Sequence, residues 1–245
     1  MSTVPLVLER VVDRVAILSY NRPDRHNARN DAMMAQWEEA FDRALADDAV
    51  ATIVLRGEGR SFSSGRDVTE LGRRVDGETD EEVIRRAQKR HLKIVNSPKP
   101  VIAALKGYVL GGALETALAC DLRIADPTAR LGFPEIGHGL ITDTGGIPFA
   151  TRLAGPSRAK YLVMTGKHID AQLALDWGLV DVVVDPDALD ARALELARTM
   201  AGFSPAALAR AKGVVNACVD ADLATALRAE LEAQVELFAA RRAAP

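Results

Sequence analysis

A glycine pair, Gly111-Gly112, stands where an apolar strand-like run gives way to an apolar helix-like run, and Glu115 follows three residues later. Glycine there lets two backbone N–H groups approach a ligand oxygen without a Cβ in the way, and a helix N-terminus adds partial positive charge. The pattern suits an oxyanion. Glu115 lies one turn along the same helix face, which sets a carboxylate beside whatever oxygen the amides hold. No other charge occurs between Lys106 and Asp121. The plainer alternative is a solvent-facing Glu on a half-buried helix.

Two further stretches offer chemistry. The loop Ser61-Phe-Ser-Ser-Gly65-Arg66-Asp67 can expose a second set of amides, since Ser and Gly favour turns with free N–H groups. It can equally be a surface turn. Gly132-Phe-Pro-Glu135 leads into Gly137-His138-Gly139 and Thr142-Asp143-Thr144-Gly145-Gly146, which brings acids at 135 and 143 into an irregular, glycine-rich segment. Asp143 has an ordinary alternative as the N-cap of the helix that follows, and Glu135 as a loop carboxylate in water. No metal site is expected: neither Cys120 nor Cys218 lies in a CxxC or Cys/His cluster, and the histidines at 26, 91, 138 and 168 lack HExxH-type spacing.

These residues need a scaffold, and the hydrophobic pattern predicts one. Val4 to Tyr20 reads as two short strands around Asp13-Arg14, and a helix capped near Asn30-Asp31 carries Met34, Trp37, Ala40, Phe41 and Leu45 at helical spacing. Strands at 51–55 and 100–105 enclose a charged helix at 79–95. Strands near 121–125, 130–133 and 179–184 alternate with helical stretches at 145–164 and 170–177. This rhythm predicts an α/β core with crossover helices. From Asp185 the Ala/Leu-rich chain reads as wholly helical, a separate region with a restart at Pro205. No internal repeat or low-complexity segment is visible.

Composition narrows the class. The chain has 245 residues, 48% apolar and 27% charged, and no apolar run approaches the ~18 residues a membrane helix needs, so a soluble globular protein is expected. Lys plus Arg number 31 against 34 for Asp plus Glu, which leaves no global basic field for nucleic acid or anionic lipid. Two cysteines make no disulfide framework, and Glu9, Arg10, Asp13 and Arg14 interrupt the stretch a signal peptide would require. A cytoplasmic location with reduced thiols is expected.

In combination these segments resemble the enoyl-CoA hydratase/isomerase family, the crotonase fold, over nearly the whole chain. Asn21-Arg-Pro-Asp-Arg-His-Asn27-Ala28 is similar to its NRPxxxNA segment, and Phe62-Ser-Ser-Gly65-Arg66-Asp67 to its FxxGxD loop. Pro100 to Glu115 is similar to its PVIAAxxGxxxGGGxE core, and Phe133-Pro-Glu135 with Gly145-Gly146 to its second active-site stretch. The resemblance implies a β-β-α spiral core over 1–184 with an acyl-CoA site, and a helical region over 185–245 that serves oligomerisation, as a homotrimer or a hexamer of trimers. It also implies that the amides of Arg66 and Gly112 hold the thioester oxygen as it becomes an enolate. The residue matching Glu115 helps activate water for attack at C3, and the one matching Glu135 exchanges a proton at C2. For coenzyme A, which is part of the substrate and not a cofactor, the matching positions are Arg25, Ser64, Arg66 and Asp67.

Three departures from the family pattern stand out. Asp143 sits where many hydratases have Gly. In the dienoyl-CoA isomerases an Asp at that position, eight residues after the equivalent of Glu135, helps move a proton along a conjugated chain; in the aromatic acyl-CoA dehalogenases it is a nucleophile, which the glutamates at 115 and 135 argue against. Ala113 replaces the third glycine of the GGG run. The sequence ends at Pro245, short of the Phe- and Lys-bearing helix that in many relatives covers a neighbour's CoA. Hydration of a 2-enoyl-CoA is therefore the leading expectation. The alternatives are a double-bond isomerase using Glu135 and Asp143, and an acyl-CoA-binding protein without catalysis. Arg85, Arg86, Lys89 and Arg90 read as a solvated helix face, His91 as surface or packing, and His138 as a pocket-lining residue at most.

Overall fold

The computed structural model describes residues 4–70 and 77–243; positions 1–3, 71–76 and 244–245 of the two expected regions lie outside it. Strands β1 (Val7–Val12) and β2 (Val15–Tyr20) form an antiparallel hairpin. Its two-residue turn puts Asp13 and Arg14 at φ of 50° and 64°, the mirror-image turn whose twist matches that of the flanking strands. From β2 onward the sheet is parallel. β3 (Thr52–Gly57), β4 (Val101–Leu105), β6 (Leu122–Ala125) and β9 (Val182–Val183) extend it in the order β1-β2-β3-β4-β6-β9. A smaller sheet joins β5 (Tyr108–Leu110) to β7 (Arg130–Gly132) in parallel and β7 to β8 (Ile169–Asp170) antiparallel.

The uniform apolarity of β3 and β4 follows from burial of both sheet faces. Ile53, Leu55, Val101, Ala103 and Leu105 point to one side, where they meet Trp37 and Phe41 of α1 (Asp31–Ala46) and Leu114, Ala117 and Leu118 of α3 (Gly112–Ala119). Val54, Ile102, Ala104 and Ile124 point to the other and meet Leu189, Ala193 and Ala197 of α7 (Leu189–Ala201). Asn30 caps α1 by accepting from Met33 N at 2.9 Å. Thr79 and Glu82 form a reciprocal capping box that starts α2 (Asp80–Val95).

Two expectations need correction. The helical stretch at 145–164 is two helices, α4 (Gly146–Ala154) and α5 (Pro156–Thr165), because Gly155 adopts φ 81° and Pro156 cannot carry the preceding helix through. After α6 (Ala171–Asp176) and β9, the stretch from 185 is helical but not wholly separate. Its first helix, α7, covers a face of the sheet, since its residues 189, 193 and 197 recur every four positions on one side. Only α8 (Pro205–Cys218) and α9 (Leu223–Ala243) pack on one another with no buried residue between them.

Candidate active site

β5 and β7 lie side by side with Leu110 opposite Gly132, and Gly111 N donates to Gly132 O at 2.9 Å. This pairing brings the start of α3 next to the 3-10 segment Pro134–His138 that carries Glu135. The loop 61–67 runs along the other side of β5: Ser63 N donates to Tyr108 O at 2.9 Å and Leu110 N to Ser63 O at 3.2 Å. A Cβ on Gly65, whose φ is 92°, would meet Leu110 O at 2.6 Å, so the close approach requires glycine.

Two peptide planes in this arrangement hold their carbonyls and leave their amides over. Gly65 O accepts from Arg29 N at 2.8 Å, and Gly111 O accepts from Glu115 N at 3.1 Å. In a trans peptide the N–H points opposite to the C=O, so the Arg66 and Gly112 amides are directed away from these partners. Neither amide donates to another described residue, and both residues line one pocket. Two backbone donors without a partner among the described residues thus face one pocket.

Glu115 is 2% exposed and saturated with donors. Its Oε1 accepts from Thr142 Oγ1, from Thr144 N at 2.8 Å and from Gly146 N at 2.9 Å, and Oε2 accepts from Thr144 Oγ1 at 2.5 Å. Burial opposes its charge, but the charge that His91 can carry and these bonds together outweigh burial and hold the carboxyl below its ordinary value. His91, behind it, is driven down to about 4 by burial and is neutral at neutral pH. Glu135 has the opposite setting. Burial pushes its carboxyl up to about 7, helped by the charges of Glu115 and Asp143, and Oε2 is buried with no partner. Its Oε1 lies where a Cβ on Gly111 would come within 2.5 Å. Asp143 stands on the exposed rim, with its carboxyl raised by partial loss of water and by Glu115. It does not cap α4, whose N-cap is Gly145, so the capping alternative is set aside. Gln88 Nε2 donates to its carbonyl at 2.8 Å, which ties the rim loop to α2.

Glu115, Glu135 and Asp143, two free amides and a wall formed by Met34, Val83, Ile84, Ala87, Leu140 and Ile141 thus share one pocket, with Asp31 and Arg66 also lining it. The family model for enoyl-CoA hydratase/isomerase matches residues 11–243. The chain belongs to the enoyl-CoA hydratase/isomerase family. It is 39% identical over 228 residues to a probable enoyl-CoA hydratase of Rhizobium meliloti, covering 92% of this chain and 87% of that one. With the short-chain-enoyl-CoA hydratase of Clostridium acetobutylicum the identity is 36%, over 92% and 86% of the two chains. Among solved structures, an enoyl-CoA hydratase from Thermoplasma volcanium superposes with a TM-score of 0.89 at 33% identity, covering 96% of this chain and 93% of that one. The fold is the crotonase fold.

Within this family member the NRPxxxNA segment is scaffold. Asn27, buried at φ 54°, donates to Glu58 O and Ser61 O at 2.9 and 2.8 Å, and Ser63 Oγ donates to Asn27 O at 2.7 Å, so the segment holds the 61–67 loop in place. The expected CoA contacts Arg25, Ser64 and Asp67 do not line the pocket. Arg25 is exposed, Ser64 N donates to His26 O, and the Asp67 carboxylate is taken by Arg22 at 2.9 Å and Thr69 at 2.8 Å. Arg66 does line it and reaches Asp31 at 3.4 Å. His138 is exposed and outside the lining. Of the basic cluster, Arg85 and Arg86 pair with Glu81 and Glu78, whereas Arg90 is largely buried against Glu38 at 3.0 Å and lines the pocket. His91 is buried at the pocket wall, not at the surface. Arg29, Thr142 and Thr144 were missed by reading the sequence. The hydroxyls flanking Asp143 and the cation two places after Asn27 were the available signals.

Proposed function

We propose that the protein is an enoyl-CoA hydratase that adds water across the double bond of a 2-enoyl-CoA by syn addition. The observation that carries this reading is the opposed state of two carboxyls beside one pair of free amides. The thioester oxygen accepts from Arg66 N and Gly112 N, each such donor being worth about 3 kcal/mol as charge develops on the oxygen. Glu115, held as a carboxylate, takes a proton from water as the water oxygen bonds to C3. The π electrons of C2=C3 move toward the thioester, and Glu135, which stays protonated up to about pH 7, delivers its proton to C2. One water is consumed and no redox or metal step is required. Loss of enoyl-thioester absorbance with crotonyl-CoA tests this: the parent should turn over, and Glu115→Gln and Glu135→Gln should each be crippled. Full activity in both variants would sink the assignment, and binding of CoA thioesters without conversion would point to the binding-protein alternative.

Asp143 favours a second reading. It lines the pocket eight residues after Glu135 and has no structural duty in α4. A 3,5-dienoyl-CoA that turns over faster than a 2-enoyl-CoA would make the protein an isomerase using Glu135 and Asp143.

The assembly proposed is a homotrimer or a hexamer of trimers. It is supported by α9, where Leu223, Leu227, Leu231, Val235 and Phe238 recur at helical spacing and remain exposed. Light scattering at micromolar concentration that gives a monomer would remove it. Among the described residues no helix is long and apolar enough to cross a membrane. Cys120 and Cys218 are free thiols, in keeping with the proposed cytoplasmic location.

A further inference from the structure

The two free amides come from segments far apart in the sequence, and one residue touches both. Arg29 is 7% exposed and sits between the 61–67 loop and the first turn of α3. Its backbone flanks Arg66: Arg29 N donates to Gly65 O at 2.8 Å and Asp67 N donates to Arg29 O at 2.9 Å. The first bond fixes the plane of the peptide that presents the Arg66 amide, and the second fixes the peptide that follows it. The Arg29 side chain reaches the residue that carries the other donor, at the peptide that follows the Gly112 amide. Nη1 donates to Thr116 Oγ1 at 2.8 Å, and Thr116 Oγ1 lies 3.0 Å from Gly112 O. The guanidinium also packs on the Gly112 Cα, so closely that any Cβ at 112 would collide with Nη2.

The protons of this hub follow from what each group can do. Arginine only donates, so Thr116 accepts from Arg29. The one hydroxyl proton of Thr116 then goes to Gly112 O. His91 Nε2, 2.9 Å from the same oxygen, must be the N–H donor in a neutral ring. Thr116 thus collects two donors and passes one bond to the peptide carbonyl of Gly112, while Arg29 adds a buried positive charge beside it. A cation that fits so tightly against a required glycine, with Nε left unpartnered, is more than packing demands.

We infer that Arg29 is a positioning residue that sets the separation and aim of the Arg66 and Gly112 amides, through its backbone on one side and the Thr116–His91 hub on the other. The inference rests on the proposed thioester chemistry. It predicts that losing the side chain lowers kcat and leaves KM nearly unchanged, because the amides matter most when the oxygen carries charge.

The test uses Arg29→Met, Arg29→Lys and Thr116→Val, with crotonyl-CoA as probe. Turnover is read alongside the infrared carbonyl stretch of the bound thioester, which reports polarisation by the two amides. Arg29→Met should lose about ten- to a hundredfold in kcat with KM within about threefold, and the bound carbonyl should move back toward its solution frequency. Arg29→Lys, which keeps the charge and one donor, should recover part of both. Thr116→Val keeps Arg29 and its backbone bonds, so it carries the test if Arg29→Met does not fold, and it should shift both readouts in the same direction. Unchanged kcat and carbonyl frequency in the folded variants would overturn the inference. If the parent polarises the carbonyl but hydrates nothing, the proposed reaction fails and the carbonyl arm alone decides on Arg29: a shift in the variants upholds it and none overturns it.

Discussion

The wall around Glu115 and the ledge around Glu135 belong to one pocket, yet they treat the same side chain in opposite ways. At the wall, four donors from residues 142–146 converge on a carboxylate that is almost wholly buried. On the ledge, a 3-10 turn of five residues holds a carboxyl with one oxygen buried and unpartnered. Burial alone would raise both. What separates them is the neighbours, His91 and four N–H and O–H donors at Glu115 against two carboxylates at Glu135, so the two groups divide the labour of base and acid by surroundings and not by depth. An addition that moves one proton from water and another to carbon needs that division.

The largest effect should come from the ledge. Glu135→Gln should lower hydration by about 10²- to 10⁴-fold with crotonyl-CoA binding retained. The parent's pH profile shows the same asymmetry. Hydration starts from ionised Glu115 and protonated Glu135, so kcat/KM should fall as pH rises through about 7. Hydration neither takes up nor releases a net proton, so dehydration of the 3-hydroxyacyl product must show the same falling limb. A flat profile between pH 6 and 9 in both directions would break the assignment of Glu135 as acid.

At the wall the effect is smaller because four donors share the duty. Thr144→Val removes the bond to Oε2 and keeps the amide bond to Oε1. It should cost about three- to tenfold in kcat, one hydrogen bond to a charged group being worth about 1.5–3 kcal/mol in full and less where the neighbours compensate. The acid limb of the profile should move upward, since the carboxylate has lost a stabilising donor. Steady-state rates from pH 4 to 7 read both changes.

This contrast marks how far the sequence could be read. Glu115, Glu135, the 61–67 loop and the glycine pair were legible because each sits in a short segment whose strand-turn-helix pattern is local. The fold class was legible for the same reason, from apolar runs at β3, β4 and β6 separated by helical stretches. The state of each carboxyl was not. Thr142 and Thr144 reach Glu115 across 27 and 29 positions, and nothing in their spacing distinguishes a clamp from a loop. Arg29, on an isolated β-bridge to Arg66, and His91 of α2 meet at Thr116 of α3, and only packing shows it. Asp67 matched a motif, but its carboxylate is spent on Arg22, a partner 45 positions away. Likewise α7 and α9 have similar Ala/Leu composition, and the sheet face that claims α7 is invisible until the strands are assembled.

Stability offers a sharper test of the same contrast, with opposite signs at the two sites. An unfolded Glu135 ionises near the ordinary value of 4.5 and the folded one near 7, so its ionisation opposes folding progressively between those values and by a constant amount above. Each pH unit between the two values is worth about 1.36 kcal/mol, less what solvent screens at a partly exposed carboxyl. Glu135→Gln should therefore stabilise at pH 8 by up to about 3 kcal/mol and do nothing at pH 4. Glu115 is lowered on folding, so it contributes stability above its ordinary value that is lost as pH falls through the lowered one. Glu115→Gln should destabilise at pH 7 by about 1–3 kcal/mol, since an amide NH₂ then faces donors. Paired urea melts at pH 4 and pH 8 decide the signs, and equal shifts for both variants would contradict the contrast.

Asp143 completes the series as a carboxylate that is neither clamped nor buried. Solvent reaches it on the rim, and its backbone, not its side chain, carries the contact to Gln88. Asp143→Asn should leave crotonyl-CoA hydration within about threefold, because Glu115 and Glu135 keep both protons of that reaction. Asp143→Ala should shift stability by no more than about 0.5 kcal/mol, the range for exposed side chains without a structural partner, where a true N-cap would cost about 0.5–2 kcal/mol. Only a dienoyl substrate, whose far double bond must gain or lose a proton beyond the reach of Glu115, should expose a larger loss. If Asn and Asp proteins isomerise a 3,5-dienoyl-CoA equally well, the third carboxylate plays no part in proton transfer and the chemistry rests on the clamped and the free glutamate alone.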